Sequence, residues 1–507
     1  MKKAAEQGKP PKPRPLGWMA VLLIMSAPAA ARDFSDPFRV MPGDMATNSK
    51  VVQSTPLRPI PAPTLTTRAK ADHDYSLAEL SALALQNNPQ TAAGWANVQA
   101  ASAAVGSAEA AWLPRLSASV NATQSQSTTS TGFSIPQQRV LSPNLSLSWL
   151  LWDFGQRDAA LASAKANTAV ARFNQNQTVQ TVLQNVAVAY YQSLADRVLI
   201  KVNEQSVANA QRALDAAQAR YRSGQATVSD LYQAKAALAQ AESTLATARQ
   251  TRIQNLGTLA QAVGWPVDTV INLAPLDAVA LPSLQQNVQQ LLRDAVVRNP
   301  ALQAADANVA AAHAGVEQAE RANWPTISLS ANQGLRYQQG QGQAQTNSIG
   351  LSLSVPIFTG FANQYQTLAA QAKLANALAT RDVTYQATTL AVWQAYYSFQ
   401  GAVAGIPGAR AQVENATEAL KAVQAQYQVG YATIQDLLTA QNTQASAEVT
   451  LAQNALNAYS ALAKLGAAIG TLDSTDHHQT ALPDPVQPPV DAASTMPLLP
   501  PPSAPLP

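Results

Sequence analysis

The chain has 507 residues, of which 47% are apolar, 6% aromatic and 12% charged. Alanine dominates the apolar share, which leaves too little bulk for a conventional globular core of this length and suits long helices packed through small side chains. The formal charge is +3, but Lys2, Lys3, Lys9, Lys12, Arg14 and Glu6 together carry +4, so residues 32–507 sum to −1 and no basic surface argues for nucleic acid.

Residues 1–31 have the plan of a secretory signal: a basic stretch to Arg14, an apolar run from Leu16 to Met25, then Ala29 and Ala31 in a small-x-small arrangement. A membrane anchor needs roughly 20 apolar residues, more than this run supplies. Residues 32–74 are rich in Pro, Thr and polar residues and read as a disordered linker. There is no cysteine, which excludes disulfides, thiolate metal sites and cysteine catalysis.

From Tyr75 onward the chain is a duplicated unit, 75–283 and 284–473. Asn88-Pro89 recurs as Asn299-Pro300, and Ala189-Tyr190-Tyr191 as Ala395-Tyr396-Tyr397. Leu214–Ala234 matches Leu420–Ala440 at 11 of 21 positions, with an offset of 206. Each copy opens with a helical stretch, Ser76–Trp112 or Leu284–Asn323, interrupted before its proline.

Alternating segments follow. Leu116, Val120 and Ala122 alternate with Ser117, Ser119 and Asn121, and Ile349, Leu351 and Leu353 with Gly350 and Ser352. This period of two predicts strands over about 116–127, 143–152, 326–337 and 347–356. Their length of about ten residues fits a tilted membrane crossing, although alternation alone also fits a soluble half-buried sheet. The Gly-, Ser- and Gln-rich linkers Gln124–Ser142 and Gly334–Thr346 read as exposed loops.

Beyond each strand pair the period becomes helical. Asp158–Arg222 contains no proline, and its 65 residues would span roughly 100 Å. Tip turns are expected over 222–229 and 428–435. On the return arms Leu231, Leu238, Leu245 and Leu259 recur in sevens, interrupted at Arg252, with Ala234, Ala241, Ala248 and Ala262 three residues on. The second copy carries Leu437, Ala440, Ala447, Leu451, Ala461 and Leu465. These are coiled-coil seams. Gly401, Gly405, Pro407 and Gly408 predict a kink or break in the second descending arm. Residues 474–507 read as a disordered Pro-rich tail.

The strongest parts of this pattern are YRSGQATVSDL (Tyr221–Leu231), YQVGYATIQDL (Tyr427–Leu437), LSLSVPIFTG (Leu351–Gly360) and AKLGAAIGTL (Ala463–Leu472). Over Tyr75–Asp473 they resemble the TolC-like outer-membrane efflux protein family. The resemblance implies a mainly α chain with membrane β-structure: four strands per chain in a 12-stranded barrel shared by a homotrimer, and four helical arms in a coiled-coil tunnel. It further implies an outer-membrane exit duct with its helical part in the periplasm. A periplasmic adaptor and an inner-membrane pump would open it, for type I protein secretion or small-molecule efflux.

Within that resemblance Asp436 matches the carboxylate ring at the family's constriction, while Thr439 stands where a second carboxylate would be. Tyr427 matches a tyrosine that latches onto the position of Asp230, and Ala432 stands where a second latch has arginine. The turns, with Gly224, Thr227, Gly430 and Thr433, are the expected adaptor-docking tips. From the residues alone, Asp230 and Asp436 also suit plain capping of a helix start.

No enzyme motif emerges. His73, His313, His477 and His478 lack ligand spacing for a metal, and Gly340–Gln343 lacks the helix start and lysine of a phosphate loop. No cofactor is implied. The competing class is a periplasmic coiled-coil adaptor or structural envelope protein, which would share the helical hairpin but would not need two pairs of amphipathic strands.

Overall fold

A computed structural model describes residues 73–128, 134–274, 286–338, 340 and 342–472. The expected signal segment, nearly all of the linker and the Pro-rich tail lie outside the described residues. The chain divides into a β-unit, Pro114–Trp149 with Ser328–Ser352, and a helical unit formed by the rest of the described chain.

The β-unit is one four-stranded sheet. Strands β2 (Arg115–Thr128), β3 (Ser134–Trp152), β5 (Thr326–Gln338) and β6 (Gly342–Ser354) lie in the order β2-β3-β5-β6. The remaining strands, β1 (Asp74–Tyr75) and β4 (Asn272–Leu273), form a two-residue parallel pair in the helical unit. The antiparallel register of β2 on β3 sorts the side chains by polarity. Leu116 faces Leu147 and Ala118 faces Leu145, while Ser117 faces Ser146 and Asn121 faces Ser142. The Ser117 and Ser146 hydroxyls hydrogen-bond at 2.7 Å. One face is therefore apolar and the other polar, because successive residues point to opposite sides.

The segments read as loops, Gln124–Ser142 and Gly334–Thr346, are largely strand. β2 and β3 pair out to Thr128 and Ser134, with a bulge between Ser125 and Ser127. Ladder hydrogen bonds belong to the backbone, so Gln-, Ser- and Thr-rich sequence extends a hairpin wherever both faces are wet; apolar alternation marks only the part with one apolar face.

In the helical unit the first repeat holds α1 (Leu77–Asn87), α2 (Pro89–Glu109), α3 (Gln156–Arg222) and α4 (Val228–Val263). The second holds α5 (Val288–Arg298), α6 (Pro300–Arg321), α7 (Ala362–Val429) and α8 (Ile434–Ile469). At 67 and 68 residues, α3 and α7 are each about 100 Å long. Their return arms have only 36 residues. The remainder is covered by the short helices: Thr168 on α3 reaches the Ala101 carbonyl of α2, and Arg381 on α7 pairs with Asp306 of α6. Of the kink or break expected in α7, the break is absent. The helix runs through Gly401–Gly408 with Pro407 inside it. Proline removes one donor, but Gly405 sits directly against Asn454 of α8, so packing carries a segment that propensity alone would interrupt.

The two Asn-Pro dipeptides organise the junctions. Asn88 caps α2 through Oδ1, which accepts from the Gln90 N–H at 2.8 Å, and its Nδ2 donates to the Ala262 carbonyl of α4 at 2.8 Å. Asn299 repeats this, accepting from the Ala301 N–H at 2.9 Å and donating to the Ala468 carbonyl of α8 at 2.8 Å. Both return arms end on a left-handed glycine, Gly264 or Gly470, each at φ 87°. A Cβ on Gly264 would lie 2.6 Å from the Asn87 carbonyl oxygen. Glycine is thus required for conformation and for space.

Each strand-to-helix joint carries two consecutive left-handed residues, Phe154-Gly155 and Gly360-Phe361. A bulky residue there is strained. The first joint is anchored by a buried ion pair: Arg157 Nε donates to Asp153 at 3.0 Å and Nη1 to the Leu150 carbonyl at 2.7 Å, with the guanidinium over Trp112. In the second, Asn363 donates to Asn323 at 2.7 Å.

Asn88→Ala and Asn299→Ala should each lower stability by about 2 kcal/mol, one cap plus one interhelical hydrogen bond. Gly264→Ala should cost more, because backbone must move. Denaturant titration followed by far-UV circular dichroism in detergent checks the ranking.

Candidate functional site

The sites singled out in the sequence converge on the two tips of the helical unit. α3 ends at Arg222 and α4 begins after Thr227; α7 ends at Val429 and α8 begins after Thr433. Gly224 and Gly430 are left-handed, at φ 71° and 89°. At the second turn the Tyr431 N–H reaches back to the Gln426 carbonyl at 2.8 Å, closing α7 on glycine.

Both ascending helices start with the same capping box. Thr227 Oγ1 accepts from the Asp230 N–H at 3.2 Å, and Asp230 Oδ2 accepts from the Thr227 N–H at 2.9 Å. Thr433 and Asp436 repeat both bonds at the same distances, and the Thr433 hydroxyl adds a third to Asp436 at 2.6 Å. The T-x-x-D spacing explains this, since a carboxylate at the third helical position reaches back to the cap N–H. The Asp436 carboxyl is held below its ordinary range by the Thr433 hydroxyl first and the Thr433 N–H second. Asp436 and Thr439 both lie on the exposed side of the first turns of α8.

Beneath the turns lies an apolar patch of Ala213, Leu214, Ala217, Ala234, Leu420, Ile434, Leu437 and Leu438, with Tyr427 buried in it. Burial pushes the Tyr427 phenol up; Arg220 opposes that, and the nearby charge of Asp230 adds to it. The hydrogen bonds of Asp230 run to Thr227.

Arg220 is the residue that sequence reasoning missed. Its Nη1 donates to the Tyr427 carbonyl at 2.7 Å, and its guanidinium carbon lies 5.0 Å from the centre of the Tyr427 ring. The available signal was a departure between the copies, because the position matching Arg220 in the second repeat is Gln426.

A sequence model of the family described as "Outer membrane efflux protein" matches residues 80–265 and again 291–471. Protein CyaE of Bordetella pertussis is 31% identical over 378 residues, 74% of this chain and 79% of that protein. The outer membrane efflux protein BepC of Brucella suis is 28% identical over 373 residues, 73% of this chain and 80% of its own. The crystal structure of the outer membrane protein VceC from Vibrio cholerae superposes with a TM-score of 0.67 at 23% identity, covering 78% of this chain and 96% of that one. A duplicated unit of amphipathic strand pair and long helical hairpin is thus the fold of a TolC-like outer-membrane channel rather than of an enzyme. The chain belongs to the outer membrane efflux protein family, with one family unit in each repeat.

The Asp436 cap makes a signed prediction. A carboxyl with a depressed folded-state pKa contributes stability that is present above its unfolded pKa and lost as pH falls through the lower folded value. Hydrogen exchange at the 430–440 tip, corrected for intrinsic rates, should lose protection on acidification below about pH 4. Asp436→Asn should remove most of that dependence.

Proposed function

We propose that this protein is the outer-membrane exit duct of a tripartite export system. Three copies would close one barrel from their strands and one tunnel from their helical arms. The helical part would lie in the periplasm, where an adaptor and an inner-membrane pump would open it for type I protein secretion or small-molecule efflux.

The observation that carries this reading is the state of the sheet. Its apolar face is in register yet uncovered: Leu116, Val120, Ile349, Leu351 and Leu353 are 62–78% exposed. None of the hydrophobic clusters among the described residues includes a residue of these four strands. At roughly 1.5–3 kcal/mol for each large apolar side chain, leaving such a face in water is costly, and a lipid surround removes the cost. The outer strands β2 and β6 supply the edges through which copies would pair into a closed barrel. Exposed aromatic residues at the strand-to-helix joints, Trp152, Phe154, Trp324, Phe358 and Phe361, suit a membrane–water boundary. On α7, Val383, Leu390 and Tyr397 form an exposed heptad stripe that suits packing against another copy.

At the tips, Asp436 from three copies would ring the constriction and favour cations, with Thr439 as a neutral second layer. Tyr427 with Asp230 would latch the hairpins, and the turns at Gly224, Thr227, Gly430 and Thr433 would meet the adaptor. The same carboxylate serves as cap and ring, because its capping oxygen leaves the other free.

Reconstituted in planar bilayers, the full chain should conduct with cation preference, and Asp436→Ala should reduce that preference several-fold. Unchanged selectivity would exclude the acidic ring. An absence of pores, together with release from the outer membrane by salt washing, would sink the channel reading.

A further inference from the structure

The tips of the two repeats share a threonine–aspartate capping box and a left-handed turn glycine, and they differ at the residue matching Arg220, which is Gln426 in the second repeat. Arg220, in the last turn of α3, closes its own turn only through its carbonyl, which accepts from the Gln225 N–H at 2.8 Å; its side chain goes elsewhere. It crosses to the second repeat, where Nη1 donates to the Tyr427 carbonyl at 2.7 Å. That carbonyl lies in the last turn of α7, where the exposed acceptors and the negative end of the helix dipole favour a cation. The guanidinium also lies over the Tyr427 ring, 5.0 Å from its centre. A Cβ on Gly430 would meet Nη2 at 3.6 Å, an ordinary contact distance, so the guanidinium lies directly beside the turn glycine. No acidic partner holds Arg220 among the ion pairs of the described residues.

The site is half-buried beside Leu420, Ile434 and Leu437, where reduced water strengthens a charged hydrogen bond. The reverse contact cannot form in the same way. The residues matching Arg220 and Tyr427 in the other repeat are Gln426 and Tyr221, and Tyr221 is exposed where Tyr427 is buried.

We propose that Arg220 is a one-sided clamp that ties the second tip turn to the first hairpin and so holds the tip closed. The inference rests on the channel reading above. It assigns to Arg220 the positioning role for which the second latch, at Ala432, has no polar side chain. The clamp uses a backbone carbonyl and a ring rather than a carboxylate. It is released when the two helix ends move apart.

The test uses the full chain in planar bilayers. Arg220→Gln copies the residue of the second repeat and should raise the fraction of time spent conducting by about tenfold, the loss of one charged hydrogen bond and one cation–π contact. Arg220→Lys keeps a donor for the Tyr427 carbonyl but not the flat stacking, and should fall between the two. The chain has no cysteine, so spin labels at Gln225→Cys and Tyr431→Cys report the separation of the turns. That separation should be narrow with Arg220 and broad with Arg220→Gln.

Parent-like conductance in Arg220→Gln overturns the clamp as a gate element, and a parent-like distance distribution overturns it altogether. If the unsubstituted chain forms no pore, the channel reading fails, and the distance distribution alone then decides whether Arg220 ties the turns.

Discussion

Helices of this length and composition are stable only if they are covered along their full extent. Alanine supplies little buried area per residue, and a 67-residue helix with one bare half would leave that half marginal. Each return arm is 36 residues long and covers only part of its partner. The remaining length is covered by a second, separate helix, butted end to end against the first. The joint must end one helix, start another and keep both on the same partner. Asn88 with Gly264, and Asn299 with Gly470, do this with one asparagine amide and one left-handed glycine per repeat. Proline at the first position of α2 and α6 costs nothing there, because that N–H has no intrahelical acceptor.

Around this shared plan the repeats differ where load differs. The first strand-to-helix joint is fastened by the buried Asp153–Arg157 pair, the second by an exposed Asn323–Asn363 hydrogen bond. The order of phenylalanine and glycine in the left-handed pair is exchanged between the joints. At the tips both capping-box bonds recur in each repeat, while Arg220 has no counterpart. Duplication keeps what the backbone requires, namely caps, chain reversals and junctions. It relaxes what depends on which neighbour a side chain meets. In the closed ring proposed above those neighbours would differ, because one interface would lie inside a copy and the other between copies.

Sequence reasoning succeeded where a periodicity or a short-range rule was at stake. The long arms, the tips and the alternating face of the sheet could be read because each follows from a repeat of two, of three to four, or of seven. It failed in two instructive ways. The hairpins extend beyond the apolar alternation, since strand pairing needs backbone rather than apolar side chains. The Gly401–Gly408 segment, expected to kink or break, does not break, since packing against α8 outweighs local propensity. Asn88-Pro89 and Asn299-Pro300 were visible as repeats, but their amides' reach to Ala262 and Ala468 spans 174 and 169 residues and has no sequence signature.

The sequence by itself determined the duplication, the two-faced strands, the capping threonine–aspartate pairs and the family, because each is written in residues close together or at a fixed repeat distance. Only the tertiary structure decided that Asp230 and Asp436 are engaged first as caps, that Tyr427 is buried beneath the tip, and that Arg220 crosses between repeats to its carbonyl. Those facts depend on which helices lie side by side. Arg220 and Tyr427 are 207 residues apart in the chain, and no local rule connects them until two long helices bring their ends together.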